Sequence, residues 1–260
     1  MILEWLQSLR TRSSKAARDW GYVYQNVSLK FRARRCAKAW RGHLEHSRAW
    51  VREQVQRIQP TSVMVIGSGL LLEVPLEDLL KVAEKIYLVD LVHAPEIRKL
   101  AARTPQIILI EKDISGLLGV LRKDMGPFQI KNIPWKQLPP WDLPPVDLVI
   151  SANLLSQIPL LISETVTMSS ETYERFARAV RDQHIERLFA QAPQVLLFAD
   201  FETRYMDRKG QCLKSESFEV NLRALKPDRE WLWEIAPFGE SSPHYRVEMR
   251  VKAFVGSLRR

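Results

Sequence analysis

Apolar residues follow a helical period in the first quarter of the chain. They recur among Arg, Lys and Gln at Ile2, Leu3, Leu6 and Leu9, and then at Cys36, Trp40, Leu44, Val51, Val55 and Ile58. This spacing places apolar side chains on one face and predicts amphipathic helices. Pro60 has no amide to continue a helix, so the pattern predicts a helical arm over residues 1–59 and a second domain over residues 60–260.

After Pro60 the apolar residues come in short continuous runs. The runs are Ser62 to Ile66, Ile86 to Val89, Ile107 to Ile110, Val146 to Ile150 and Val195 to Ala199. Such runs are typical of strands buried on both faces of a parallel sheet. Amphipathic stretches lie between several of them, among them Leu76 to Ala83 and Tyr173 to Phe189, and this alternation predicts βαβ units.

The end of the chain has the pattern of an antiparallel hairpin. Trp231 to Ile235 and Tyr245 to Val255 flank a segment rich in Pro, Gly and Ser. The Pro-dense stretch Gly126 to Pro145 indicates an insertion. The predicted fold is an α/β three-layer sandwich, whose mostly parallel sheet ends in the hairpin.

Positive charge is concentrated in the arm. The chain has a formal net charge of +9, and residues 1–59 hold 13 Lys and Arg against 4 Asp and Glu. The arm therefore carries all of the excess, and residues 60–260 are balanced. A basic segment of this kind is typical of contacts with nucleic acid, an anionic membrane surface or an acidic substrate, and equally of a solvated helix face.

The sequence predicts a cytoplasmic protein. No apolar run approaches the roughly 18 residues of a membrane-spanning helix, and residues 1–18 lack the apolar core of a secretory signal. The Arg, Ser and low acid content of residues 1–18 leaves a transit peptide as an alternative. Cys36 and Cys212 lie far apart without metal-ligand spacing, so we predict neither a disulfide framework nor a metal site.

A glycine turn follows the first predicted strand. Gly67-Ser68-Gly69 lets the backbone approach a ligand closely, and Pro75 can open the next helix. A nucleotide-like ligand is expected at such a turn, with a plain tight turn as the alternative. The third glycine of an NAD-binding loop would fall at Leu72, whose bulk disfavours NAD.

Two carboxylates end the next predicted strands. Asp90 lies where an acid can accept hydrogen bonds from both ribose hydroxyls, and its alternative role is an N-cap. Asp113, followed by Ile114, is placed to bind an adenine amine and to cover the ring, with a helix cap as the alternative.

With these motifs the chain resembles the class I methyltransferases over roughly residues 62–255. The resemblance rests on Val65-Ile66-Gly67-Ser68-Gly69, on Asp90, on Asp113-Ile114 and on Asp147-Leu148-Val149-Ile150-Ser151-Ala152-Asn153. It implies a seven-stranded sheet with the last strand inserted antiparallel beside the sixth, and S-adenosylmethionine as cofactor. The implied cofactor contacts are Gly67, Ser68, Gly69, Leu70, Glu73, Asp90, Leu91, Asp113, Ile114 and Ser151.

The chain departs from the family at one cofactor contact. The acid that many members place two residues before the first glycine is Val65 here, and we hypothesise that Glu73 partly replaces it. The resemblance places Ser151, Asn153 and Gln157 beside the acceptor, where strand-end capping is the alternative role.

Methyl transfer is an in-line displacement that depends mainly on positioning. Removal of a proton from the acceptor would need a base, and the candidates are His184, Asp200 and His244. We predict Asn153, His184 and Asp200 as the catalytic set.

The predicted function is methyl transfer from S-adenosylmethionine to a small-molecule or glycan-like acceptor. RNA is the alternative acceptor, because aromatic residues interleave with the basic residues of the arm. These aromatics are Trp5, Trp20, Tyr22, Tyr24, Phe31, Trp40 and Trp50. They also fall at helical apolar positions, which favours packing, and the arm would then cover the pocket. A noncatalytic scaffold is the alternative from a different class.

Overall fold

The computed structural model describes residues 12–122, 140–163 and 168–257, together with Met125, Gln129 and Ile133. The helix predicted from Ile2 to Leu9 and most of the insertion predicted over Gly126 to Pro145 lie outside the described residues. The described helices are α1 Lys15–Asp19, α2 Tyr22–Arg35, α3 Ala37–Ile58, α4 Leu76–Val82, α5 Pro95–Ala101, α6 Gln157–Ser163 and α7 Ser170–Gln191. The described strands are β1 Ser62–Ile66, β2 Lys85–Asp90, β3 Ile107–Glu111, β4 Leu148–Ala152, β5 Gln194–Asp207, β6 Cys212–Ser217, β7 Arg229–Ala236 and β8 Tyr245–Ser257.

All the strands join one sheet in the order β3-β2-β1-β4-β5-β8-β7, and β6 pairs with β5 outside this path. Strands β1 to β5 are parallel to their neighbours within that group, whereas β8 is antiparallel to both β5 and β7. The predicted parallel sheet and its antiparallel hairpin are therefore confirmed. The strand order reverses between β1 and β4, which is the switch point where open α/β sheets bind their ligands.

The strand path of the described residues has the predicted seven strands, and β6 adds an eighth beside β5. The prediction ended β5 near Ala199, but the strand passes a bulge between Asp200 and Glu202 and continues to Asp207. Its extension pairs with β6, and every residue of β6 is exposed. Exposed strands lack the apolar run by which the other strands were predicted, so the sequence pattern missed β6.

Helix α3 belongs to the main hydrophobic core. Trp40, Trp50, Val51 and Val55 are buried in one cluster with residues of β1, β2, β4 and β7. The indole N–H of Trp40 donates to the carbonyl of Ile235 at 2.9 Å. The apolar face predicted for residues 36–58 thus packs on the sheet. The division of the chain into two domains at residue 60 stays a prediction.

The opposite face of the sheet is covered by α7. Ile185, Leu188 and Phe189 of this helix pack with Val149 and Val195 of the central strands. Because helices cover both faces, the central strands are continuous apolar runs. Within the described ranges, no helix combines the length and the apolar character needed to cross a membrane.

Candidate functional site

A cleft of about 1460 Å³ opens at the carboxyl ends of β1, β2, β4 and β5. One wall is a face of α2, which includes Tyr22, Asn26 and Leu29, and another is formed by the extension of β5 with β6. Of the ten cofactor contacts that the resemblance implied, nine line this cleft and Ser151 does not. The fold therefore brings the glycine turn, Asp90 and Asp113 together in one cavity.

The glycine turn requires glycine at its first position. Gly67 has a φ of 72°, in the left-handed region, and a Cβ there would collide with the side chain of Leu154. Gly69 also has a positive φ, of 48°, but a Cβ there would meet only open space and the carbonyl of Gly67. The turn is thus packed on one side and open to the cleft on the other.

Asp90 connects the glycine turn to the end of β2. Its carboxylate accepts hydrogen bonds from the amide of Gly69 at 2.7 Å and from the amide of Leu91 at 2.7 Å. Burial raises the pKa of Asp90, and the backbone donors and His93 oppose that shift. A carboxylate has about four acceptor sites, so these two bonds leave capacity for hydroxyl donors.

Asp113 caps the loop that follows β3. Its carboxylate accepts from the amide and the hydroxyl of Ser115, at 2.9 and 2.5 Å, and from the amide of Leu118 at 2.8 Å. The capping alternative therefore describes its contacts in this structure. Asp113 and Ile114 still line the cleft beside Asp90.

Tyr22 is a cleft residue that the sequence analysis did not assign to the site. It stands at the start of α2, and burial together with the negative charges of Asp113 and Asp90 raises its pKa. Asn26, one turn later, donates to the carbonyl of Val92 at 3.4 Å. The arm therefore docks beside Asp90, although its residues carry no motif that predicts this contact.

A buried polar chain runs from the core into the cleft. The indole of Trp231 donates to Nδ1 of His43 at 2.9 Å, and Nε2 of His43 contacts Oε1 of Glu73 at 2.7 Å. An indole can only donate, so Nδ1 must accept, and His43 is neutral with its proton on Nε2. His43 therefore donates to Glu73, which also accepts from Nδ2 of Asn153 at 3.3 Å.

Asp200 lies in the cleft at the bulge of β5. Its carboxylate accepts from the hydroxyl of Ser156 at 2.5 Å, and its amide donates to Oδ1 of Asn153 at 3.2 Å. Burial raises the pKa of Asp200 to about 6, and the negative charge of Glu73 acts in the same direction. Two of the predicted catalytic residues, Asn153 and Asp200, are thus adjacent.

The structure does not bring His184, the third predicted catalytic residue, to the cleft. Its Nε2 lies 2.9 Å from the hydroxyl of Ser151, both residues are buried, and burial lowers the pKa of His184 to about 3. His184 belongs to α7 and Ser151 to β4, and the two side chains meet in the interface between this helix and the sheet. His244 is exposed in the turn between β7 and β8.

A buried arginine, Arg181, lines the cleft near Asp200. It projects from α7, and its guanidinium carbon lies 3.9 Å from the ring centroid of Phe218. No motif in the sequence distinguishes this position from the other arginines of α7. Among the described residues, no group of three His, Cys, Asp or Glu side chains could hold a metal ion.

Comparison with known families found no matching family model, and no curated protein matched. Several solved methyltransferase structures resemble the chain. One is the 1,6-didemethyltoxoflavin-N1-methyltransferase of Burkholderia thailandensis, crystallised with 1,6-didemethyltoxoflavin and S-adenosylhomocysteine. It is 14% identical with a TM-score of 0.40, and the match covers 86% of this chain and 88% of that one. The N-methyltransferase NodS of Bradyrhizobium japonicum, in complex with S-adenosylhomocysteine, is 12% identical with a TM-score of 0.37, covering 79% and 85%. A putative RNA methyltransferase of Pyrococcus horikoshii is 10% identical with a TM-score of 0.41, covering 84% and 85%.

The sheet itself defines the fold class. Its central order and the insertion of β8 between β5 and β7 are those of the class I methyltransferase fold that the sequence resemblance implied. Strand β6 is an addition at the end of β5. The assignment of the fold rests on this strand order.

Proposed function

We propose that the protein transfers a methyl group from S-adenosylmethionine to a small-molecule acceptor. The observation that carries this proposal is Asp90, which bonds to the glycine turn inside a cleft at the switch point of the sheet. A volume of about 1460 Å³ exceeds the roughly 300–1,000 Å³ of a pocket for one drug-sized ligand. The cleft therefore has room for a nucleoside cofactor and a second, smaller molecule.

The cofactor would lie across the carboxyl ends of β1, β2 and β3. Asp90 would accept hydrogen bonds from the ribose hydroxyls, and Ile114 would cover the adenine beside Asp113. Val65 removes the family's usual acid near the methionine amino group, and Glu73 is the replacement that the polar chain supports. Because His43 and Asn153 hold Glu73 at the cleft, its carboxylate is positioned for a cationic group.

Asp200 would act as the base that removes a proton from the acceptor. With a pKa of about 6, its carboxylate is mostly ionised near pH 7 and yet more basic than an ordinary aspartate. The hydroxyl of Ser156 and the link to Asn153 fix its orientation. The remaining contribution of the protein is to align the acceptor with the methyl group.

A small acceptor fits the arm better than RNA. Trp40 and Trp50 are 2% and 0% exposed, so they cannot stack on bases. Several cations of the arm pair with acids of the second domain, as Lys30 does with Glu96 at 2.7 Å. We therefore assign the basic arm to docking along the cleft, and RNA binding becomes an outcome of the tests below.

Calorimetric titration of S-adenosylmethionine and S-adenosylhomocysteine tests the proposal. Asp90→Ala should lose cofactor binding, whereas Asp142→Ala, which changes an exposed acid, should bind like the wild type. Asp90→Asn keeps the side-chain volume and serves as a second variant if Asp90→Ala melts early. NAD is the ligand control, because Leu72 disfavours its binding.

The outcomes separate the functional classes. Micromolar binding by the wild type that Asp90→Asn weakens at least about tenfold supports the enzyme. Absence of S-adenosylmethionine binding by the folded wild type would contradict the proposal and favour a scaffold built on the same fold.

A further inference from the structure

Arg181 is a charged residue buried in the acceptor-side wall of the cleft. Its side chain stands on α7, lines the cleft and is only 5% exposed. The guanidinium lies over the face of Phe218, with 3.9 Å between its carbon and the ring centroid. This stacking holds the planar group in place while its N–H edge stays available for bonding.

Arg181 is within electrostatic range of several acids but is not in direct contact with any of their carboxylates. No carboxylate of a described residue forms an ion pair with it, and its Nε has no hydrogen-bond partner. Nearby acids of the same wall already have cations of their own, as Glu202 has Arg250 at 2.9 Å. Burial lowers the pKa of Arg181, whereas the charges of Tyr173, Glu174, Asp200 and Asp182 raise it. The Tyr173 hydroxyl is a hydrogen-bond neighbour of the guanidinium, but a neutral phenol does not neutralise its charge.

A buried charge without a partner destabilises a folded protein. The desolvation cost of a guanidinium is recovered only when an anion or several acceptors bind it. A fork of N–H donors matches the two oxygens of a carboxylate or a phosphate. The cleft has room for a second ligand. An anionic group on that ligand is the most direct partner for the Arg181 guanidinium.

We propose that Arg181 binds an anionic oxygen group, a carboxylate or a phosphate, on the methyl acceptor. This inference rests on the proposed function, because it describes the second ligand of the same cleft. The acceptor would then carry two separate groups, an acidic one at Arg181 and a hydroxyl or amine that loses its proton to Asp200. Neutral acceptors without an acidic group would be poor substrates.

The test measures melting temperature with added inorganic phosphate or sodium acetate at constant ionic strength. A ligand that binds only the folded state raises the melting temperature as its concentration increases. Arg181→Met removes the charge at similar volume, and Arg181→Lys keeps the charge without the fork. Arg178→Met is the matched control, because Arg178 lies one turn earlier on α7 with a side chain 62% exposed.

The wild type and Arg178→Met should be stabilised by at least one anion, and the more effective anion identifies the acceptor group. Arg181→Met should bind at least about tenfold more weakly, with Arg181→Lys in between. Without added anion, Arg181→Met should melt at or above the wild-type temperature, since an unpaired buried charge is gone. An equal anion response in Arg181→Met, no response in the wild type, or a large loss of stability in Arg181→Met would each overturn the proposal.

Titration of S-adenosylmethionine into the same proteins keeps the two proposals distinguishable. Arg181→Met should bind the cofactor like the wild type, because Arg181 lies on the acceptor side. If the cofactor binds and neither anion does, the anion site is wrong while the proposed function stands. If an anion binds through Arg181 and the cofactor does not, the proposed function is wrong, and so is the description of the anion as part of a methyl acceptor.

Discussion

Asp200 carries a buried carboxyl whose ionisation costs stability. Its pKa in the folded protein, about 6, lies above the ordinary value of 3.8, so the folded state binds the proton more tightly than the unfolded chain. Stability should therefore fall as the pH rises from about 4 to 6. Asp200→Asn removes this cost, and we expect a higher melting temperature at pH 7.5 together with a flatter pH dependence of stability between these values.

The same residue should control turnover in the opposite direction. A base works as the carboxylate, so kcat/KM should be high above pH 6 and decline below it, and Asp200→Asn should lose about 10²–10⁴-fold in kcat. Carbon-13 NMR titration of the Asp200 carboxyl gives its pKa in the absence of acceptor. An ordinary pKa, or an Asp200→Asn enzyme with full activity, would contradict the assignment as a base.

His43 should act on cofactor binding through Glu73. Removal of its ring leaves the Trp231 indole without an acceptor and leaves Glu73 only its bond to Asn153, and a hydrogen bond to a charged group contributes about 1.5–3 kcal/mol. We expect His43→Leu and Glu73→Gln each to reduce S-adenosylmethionine affinity, and the double variant to lose less than the sum.

Calorimetry of the two single variants and the double variant gives this coupling directly. Glu45→Gln is the control, because Glu45 lies on the same helix and is exposed. Additive losses from His43→Leu and Glu73→Gln would mean that His43 does not position Glu73.

At the scale of elements, α3 should be required for folding. Trp50 is fully buried, and its indole donates to Asp228 at 2.7 Å. Trp50→Ala should lower the free energy of unfolding by about 3–5 kcal/mol, measured by urea denaturation. Tyr24→Ala, at a residue 44% exposed on α2, should change it by less than about 0.5 kcal/mol. A small effect of Trp50→Ala would make the arm a separable appendage.

The sequence predicted the elements whose buried residues form a continuous apolar run or one apolar helix face. Strand β1 was predicted at its observed bounds because four of its five residues are buried and form a continuous apolar run, and α3 was predicted because one face of it packs on the sheet. Strand β6 was missed because it is exposed, and its position depends on the extension of β5. A local sequence pattern does not show where an exposed strand finds its pairing partner.

The candidate site was predictable where backbone geometry demands a residue type, as at Gly67 and Asp90. It was not predictable where the outcome depends on how helices dock. His184 was a plausible base by type, but the docking of α7 buries it against Ser151. Tyr22 and Arg181 enter the cleft only because α2 and α7 dock around it, and neither has a motif of its own.

For the whole molecule, the question is what the excess charge of the arm does. Part of it is used internally, since Arg35 pairs with Glu240 at 2.8 Å and Arg52 with Asp78 at 2.7 Å. Exposed pairs of this kind contribute at most about 1 kcal/mol each, so they orient the arm more than they stabilise it. The cations that remain give an attraction for polyanions that does not depend on sequence.

RNA should therefore bind weakly and without specificity. Fluorescence anisotropy with a single-stranded oligonucleotide should give dissociation constants of about 10⁻⁶ to 10⁻⁴ M near 150 mM salt, and the affinity should fall steeply as salt increases. Affinity for S-adenosylmethionine should change little over the same range, because its contacts lie inside the cleft. Nanomolar affinity at 150 mM salt would instead make RNA the acceptor and contradict the small-molecule proposal.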